Sequence, residues 1–384
     1  MHPVRVAIII IIILILAYVV FSVYNKKQLI EKMKSLIGED KSLIGEDDKR
    51  LIGRDKSLIE GFGEPANPKT EVEILRANYE NSPLSIKGGI PKAYLELPIR
   101  EFIVKSSYNS AISGLFASKD AIKLVLERGC RLIDFEIFSR NNIEYVSYSG
   151  DPEYKSMGTE NVSSNRLKLI NALNTIATSA FSSPSPSTND PLFILIRIKD
   201  NSAPVYRRVS KQLNRTFSQR LFKGTFNSGT PLRKIQGKVV IFFDTLSSPK
   251  WAEYDKCDQG ADACLDGVIH LEAGTTNFPL YSYGDLFSLP SLPVNRNTGD
   301  LKTDINSFMI VQPPAFDAIK PPNPQSTIEK WHPQFLAYKF YQKNDQLGKY
   351  EAIFNNYGCA FVPMSAFIAD ANMKNASQSD KADK

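Results

Sequence analysis

Hydrophobic and polar positions divide the chain into regions of different character. Val6 to Tyr24 is 19 residues without a charge, with an unbroken isoleucine run from Ile8 to Ile13. As a helix it would span roughly 28 Å, close to the ~30 Å hydrocarbon core of a bilayer. The pattern predicts a transmembrane anchor over 6–24. A cleaved signal peptide is the alternative; against it stand the length of the run and the bulky Phe21-Ser22-Val23-Tyr24 where a small-residue cleavage site would fall. Arg5 precedes the run, and Lys26, Lys27, Lys32 and Lys34 follow it. The positive-inside rule then puts the rest of the chain on the cytoplasmic side of a single-pass membrane protein.

A repeat follows within a stalk or linker over 25–73. Lys34-Ser35-Leu36-Ile37-Gly38-Glu39-Asp40 returns as Lys41–Asp47, as Lys49–Asp55 and, shortened, as Lys56–Gly61. Heptad-like leucine spacing suggests a coiled-coil stalk. The glycine in each unit costs about 1 kcal/mol of helix stability, so a flexible spacer is the alternative. Two prolines and two glycines between Gly61 and Lys69 close the linker.

From 74 to 371 the pattern alternates between periods of two and of three to four. Strands are predicted at 100–106, 131–138, 143–148, 192–198, 238–244, 268–271, 307–311, 335–341 and 359–362. Helices are predicted at 120–128, 165–178 and 206–221, and a Ser/Pro loop at 182–191. Strand–helix alternation over this length predicts an α/β barrel or a doubly wound sheet. No G-x-G-x-x-G opens the first unit, which argues against a dinucleotide fold. The polar tail, 372–384, is predicted to be disordered.

The organising stretch is Leu126 to Phe138. Gly129 ends a helix, where a left-handed φ favours glycine. From Arg131 the period is two. Leu132, Asp134, Glu136 and Phe138 share one face; Ile133, Phe135 and Ile137 share the other. Two carboxylates roughly 7 Å apart on one strand face suit a metal or acid–base site. Two solvated acids on an amphipathic strand are the bland alternative. Composition adds little: 42% hydrophobic residues and a net charge of +6. That mild excess suits an anionic membrane surface, and it reads as too evenly spread for nucleic acid. Of the 4 cysteines, Cys257 and Cys264 lie close enough to bridge, while Cys130 and Cys359 sit in apolar contexts of buried thiols. The 3 histidines are His2, His270 and His332.

Three stretches then carry a resemblance. Phe102 to Ser110 reads F-I-V-K-S-S-Y-N-S, Arg128 to Glu136 reads R-G-C-R-L-I-D-F-E, and Asn356 to Val362 reads N-Y-G-C-A-F-V. In this order they resemble F-I-x-x-S-S-H-N-T, R-G-C-R-x-x-E-L-D and N-G-G-C-G-Y-V of the eukaryotic-type phosphoinositide-specific phospholipases C. Gly237-Lys238-Val239-Val240 and Phe335 to Phe340 are similar to that family's G-K-x-L and V-A-L-N-F strands. The resemblance spans 97–368. It implies a distorted (β/α)8 TIM barrel of the phospholipase C-like phosphodiesterase kind. An X-like part would run over 97–246, an insertion loop over 247–266 and a Y-like part over 267–368.

The resemblance also implies a chemistry. One histidine takes the proton of the inositol 2-hydroxyl, which attacks phosphorus; a second histidine and calcium stabilise the developing charge. The histidine positions here hold Tyr108 and Ser149. Calcium ligands map onto Asn109, Asp134 and Glu136, with the two acids interchanged; a fourth falls near Arg197 or Lys199, both cations. Phosphate-binding lysines map onto Phe242 and Asp244, and the family's R-I-Y segment onto Met309-Ile310-Val311. Neither tyrosine nor serine titrates near neutrality, and losing a general acid or base typically costs ~10²- to 10⁴-fold. With the apolar run 6–24 and the mild, evenly spread charge, these replacements imply a membrane-anchored, catalytically impaired relative that binds phosphoinositide lipid or a protein partner, and no nucleic acid. No cofactor is expected unless Asp134 and Glu136 keep calcium; a salt bridge to Arg197 or Lys199 is the other fate of those acids. The alternative function is a divergent active phosphodiesterase on a phospholipid or glycerophosphodiester, assisted by a metal or by Arg197 or Lys199.

Overall fold

The computed structural model describes residues 67–82, 84–148, 163–200, 202–255, 264–286, 308–314 and 320–382. The predicted anchor 6–24 and the repeat segment up to Ala66 lie outside these residues. Among the described residues no helix is long and apolar enough to cross a membrane.

Folding begins earlier than composition predicts. Helix α1, Pro68–Glu80, takes the end of the predicted linker. Asn67 accepts from the backbone N–H groups of Lys69 and Thr70, and Pro68 sits where its missing N–H is harmless. The chain then lays down β1 (Phe102–Ser107), α2 (Lys119–Glu127), β2 (Leu132–Arg140), β3 (Ile143–Ser147), β4 (Leu167–Lys168), α3 (Leu169–Ser179) and β5 (Leu192–Ile198). After these come α4 (Ala203–Phe217), α5 (Leu232–Ile235), β6 (Val239–Asp244), α6 (Trp251–Tyr254), β7 (Leu271–Ala273), β8 (Leu280–Ser282) and α7 (Tyr283–Leu286). The last elements are β9 (Ile310–Gln312), α8 (Pro324–Trp331), β10 (Phe335–Tyr338), α9 (Asp345–Tyr357), β11 (Phe361–Pro363) and α10 (Met364–Ala382). The segment predicted as a disordered tail from 372 is therefore helical through Ala382; it continues a helix that carries five alanines between Met364 and Ala382, which favours that state.

Eight parallel strands follow one another around a ring in chain order: β1, β2, β5, β6, β7, β8, β9, β10, and β10 returns to β1. No ladder joins β7 to β8 among the described residues, so the barrel is nearly closed, with one seam. Helices α2, α3 and α4 pack outside. Gly129 ends the turn after α2 at φ 82°, and a Cβ there would meet the Ile86 side chain at 2.8 Å. Both that φ and the close approach require glycine.

Strand alternation sorts the barrel interior. Inward positions are Phe102 and Val104 on β1, Leu132 on β2, Phe193 and Leu195 on β5, Val240 and Phe242 on β6, Ile310 on β9 and Phe335 on β10. Phe193, Phe242 and Phe335 meet pairwise at 5.1–5.4 Å between ring centroids, mixing stacked and edge-on contacts. The apolar filling stops toward the C-terminal ends of the strands. There the next inward residues are Asp134, Glu136, Arg197 and Asp244, all buried.

A second buried ionic group ties the N-terminal half to the last helices. Lys105 on β1, wholly buried, donates to Arg128 O at 2.6 Å and to Glu351 Oε1 at 3.1 Å. Arg128 grips Glu351 with Nε at 2.8 Å and Nη2 at 2.7 Å, and lies over the Tyr79 ring. Burial alone would raise the Glu351 carboxyl, but Lys105 and Arg128 together hold it below its ordinary value. A depressed folded value stabilises above the unfolded one, about pH 4, and that contribution is lost as pH falls through the folded value. Glu351→Ala leaves two buried cations without their carboxylate and should cost about 3–5 kcal/mol. The urea unfolding midpoint reads this, and an unchanged midpoint would show the triad to be dispensable.

Candidate functional site

The C-terminal end of the barrel gathers most of the predicted site residues. Tyr108 and Asn109 follow β1, Asp134 and Glu136 lie on β2, and Arg197 lies on β5 directly beside Glu136 in the ladder. All are buried. Ser149 lies outside the described residues.

Arg197 occupies the centre. Nε donates to Asp134 Oδ1 at 2.7 Å and Nη2 to Asp134 Oδ2 at 2.6 Å, a bidentate fork. Nη1 donates to Glu136 Oε1 at 2.9 Å and to the Tyr108 hydroxyl at 3.1 Å. Nη2 also reaches Asn109 Oδ1 at 2.7 Å. Every one of the five donors of a guanidinium is thereby used. The Tyr108 ring lies 4.5 Å from the guanidinium carbon, adding a cation–π contact. Asn109 is held at φ 46°, which aims its backbone N–H at Asp134 Oδ2, 2.9 Å away. Asparagine tolerates this left-handed conformation better than most residues.

Electrostatics follow from this packing. Burial opposes the Arg197 charge, yet Asp134, Tyr108 and Glu136 hold it well above its ordinary value. Burial pushes the Asp134 carboxyl up, against the pull of Arg197 and the Asn109 N–H. We take Arg197 as charged, because a guanidinium does not deprotonate in proteins. Burial pushes the Tyr108 hydroxyl above its ordinary value, with Arg197 opposing, so it is no base at neutral pH. Burial pulls Lys199 down to about 7, with Glu136 opposing. Lys199 donates to Ser247 Oγ at 2.9 Å, which in turn donates to Asp244 Oδ2 at 2.5 Å.

Several positions do not carry the family role. Phe242 stacks on Phe193 at 5.3 Å inside the barrel. Asp244 accepts from the Leu246 and Ser247 backbone, closing the turn after β6. Ile310 and Val311 are core residues. His270 accepts the Ile241 N–H at Nδ1 and bonds Phe222 O through Nε2, so both nitrogens are engaged there. Buried His332 caps α8 with a left-handed φ of 51°. Cys130 and Cys359 are free and buried; Cys264 is disulfide-bonded, and Cys257 lies outside the described residues. Two further residues join the site. Lys339 is pulled to about 8 by burial, with Glu136 opposing. Tyr341, half-buried, reaches Asn109. Both follow β10 on the inward parity of Phe335 and Ala337, the signal that would have found them.

The donor set does not fit calcium while Arg197 is in place. Both Asp134 oxygens, Glu136 Oε1 and Asn109 Oδ1 already accept from the guanidinium. A cation sits at the centre of the would-be ligand shell. No cluster of three or more His, Cys, Asp or Glu suited to a metal occurs among the described residues.

A parallel α/β barrel with its charged groups at the C-terminal end defines the class. No family model matches the chain, and no curated protein matches it. Solved structures do. PLC21 from L. pealei superposes with a TM-score of 0.50 at 15% identity, covering 70% of this chain and 37% of that one. A calcium-dependent phosphoinositol-specific phospholipase C from Pseudomonas sp. gives 0.45 at 12%, covering 71% and 98%. The phosphatidylinositol-specific phospholipase C of Listeria monocytogenes gives 0.44 at 12%, covering 71% and 98%. The chain spans little over a third of the L. pealei protein it matches. The fold is that of a phospholipase C-like barrel.

Removing Arg197 tests its hold on the acids. Arg197→Met leaves Asp134 and Glu136 buried without their cation and should cost about 3–5 kcal/mol. Calcium should restore part of that loss in the variant and leave the melting temperature of the parent chain unchanged. A chelator-reversible rise in the parent would show that calcium displaces Arg197.

Proposed function

We propose that this chain is a membrane-anchored, phosphatidylinositol-specific phospholipase C-like protein whose catalytic machinery is impaired. It acts as a phosphoinositide-binding or structural module. One observation carries the proposal: Arg197 consumes Asn109, Asp134 and Glu136, the residues that resemble a calcium site. Tyr108 adds no neutral-pH base where the family has a histidine, and neither His270 nor His332 belongs to the cluster. Membrane anchoring rests on the apolar run 6–24 and the lysines after it. The orientation those lysines favour places the barrel on the cytoplasmic side.

Lys199 favours a second reading. A lysine near pH 7 at the barrel mouth is a proton-handling group, and a divergent phosphodiesterase would use it as base. Release of inositol phosphate from phosphatidylinositol vesicles, with and without calcium, separates the two. The expected outcome is no release above background in either condition. Release that disappears in Lys199→Met would establish the enzyme and end the first reading.

Binding offers an independent check. Inositol 1-phosphate should bind the full chain more weakly as pH rises through about 7, because Lys199 loses its charge there. The Lys199→Gln variant should bind weakly at every pH. A flat profile in the parent chain would remove Lys199 from the binding site.

A further inference from the structure

Contrary to the even spread expected from composition, the net charge of the chain is concentrated in one segment. Between Asp200 and Asp244 there are nine lysines and arginines and no carboxylate. With 47 basic and 41 acidic residues in all, the rest of the chain is net acidic once these nine are set aside. The basic character belongs to one segment.

Helix α4 shows what part of that segment does. Val205, Tyr206, Val209, Leu213 and Phe217 are buried. Arg208, Lys211 and Arg215 fall at helical spacing on another stripe and line a groove of about 390 Å³. Its other wall includes Lys168 and the apolar Ile143 and Ile170. Among the described residues lining the groove Glu144 is the one carboxylate, and it is already neutralised. Arg208 Nε donates to it at 2.6 Å and Gln212 Nε2 at 2.8 Å. Lys168, Lys211 and Arg215 are exposed, and none makes an ion pair among the described residues. Lys211 and Arg215 are like charges one turn apart, an arrangement that disfavours the helix unless an anion offsets it.

We propose that this groove seats the phosphate-bearing headgroups of an anionic phospholipid bilayer, with Ile143 entering the interface. The inference rests on the membrane association proposed above. Two observations select a bilayer. The cations are mixed with apolar side chains, and Ile143, at the base of the β2–β3 turn, is 39% exposed. Among the described residues lining the groove there is no aromatic ring to stack a base, as single-stranded nucleic acid binding favours. Each cation near an anionic surface strengthens attachment roughly fivefold, and the effect fades with salt.

The test compares the full chain in phosphatidylcholine vesicles with the full chain in phosphatidylcholine–phosphatidylglycerol vesicles. Acetylation rates of individual lysines are read by mass spectrometry. On the anionic vesicles Lys168 and Lys211 should react about fivefold more slowly, while Lys349, on the outer helix α9, keeps its rate. High salt should reverse the slowing, and in Lys211→Glu/Arg215→Glu the Lys168 rate should be the same on both vesicles. Equal rates on the two vesicles in the parent chain, or equal slowing at Lys349, overturn the proposal. So does equal protection by soluble glycerol 3-phosphate or by polyuridylate without anionic lipid. Flotation with pure phosphatidylcholine reads the N-terminal anchor separately. If the anchor fails, the same comparison is made with vesicles added to the chain, and its outcomes keep their meaning.

Discussion

A guanidinium buried inside a barrel must satisfy five donors, and Arg197 does so with three side chains and one hydroxyl drawn from β2 and the segment after β1. This requirement fixes much around it. Asp134 and Glu136 must share a strand face two residues apart, and Arg197 must stand beside Glu136 on the next strand. Asn109 must adopt a left-handed turn so that its side chain and its N–H both face the cluster. Breaking any one contact leaves a buried charge short of a partner, so the cluster is retained as a unit.

The remainder of the barrel makes that cluster the end of a gradient. Inward positions run from Phe193 through Leu195 to Arg197 on β5, and from Leu132 through Asp134 to Glu136 on β2. Aromatic rings fill the lower interior so completely that chemistry is confined to the C-terminal end. The same gradient explains why Phe242 and Ile310 cannot bind phosphate: they belong to the apolar layer.

Much of this was legible along the chain. Leu192–Ile198 matches its predicted bounds, because the apolar run 192–196 is short, follows Pro191 and is rich in β-branched and aromatic residues, which favours a buried strand. Alternation separated Asp134 and Glu136 from Ile133, Phe135 and Ile137. The pairing of Glu136 with Arg197 was not legible as a register, since it is set by strands distant in sequence. Arg197 and Lys199 share a parity, so alternation alone could not choose between them. Leu280–Ser282 is too short to carry a period. The helices Pro324–Trp331 and Asp345–Tyr357 are not among the predicted elements, although Asn323 and Asn344 cap them through their side chains, a local start signal. Pro68 and Asn372 lie in helices despite the polar composition around them, because the Asn67 cap and a proline in the first turn start one, and alanines favour the other.

The saturation of Arg197 constrains how an anion can bind at this end of the barrel. A phosphate oxygen seeking the guanidinium must first displace a charge-assisted hydrogen bond, worth about 1.5–3 kcal/mol. The two lysines are different. Burial holds Lys199 near 7 and Lys339 near 8, so each is partly neutral under ordinary conditions. An arriving phosphate would draw protons onto them and strengthen its own site, without disturbing the fork on Asp134. Under the proposed function, a phosphate would therefore be held by adjustable lysines around a fixed arginine.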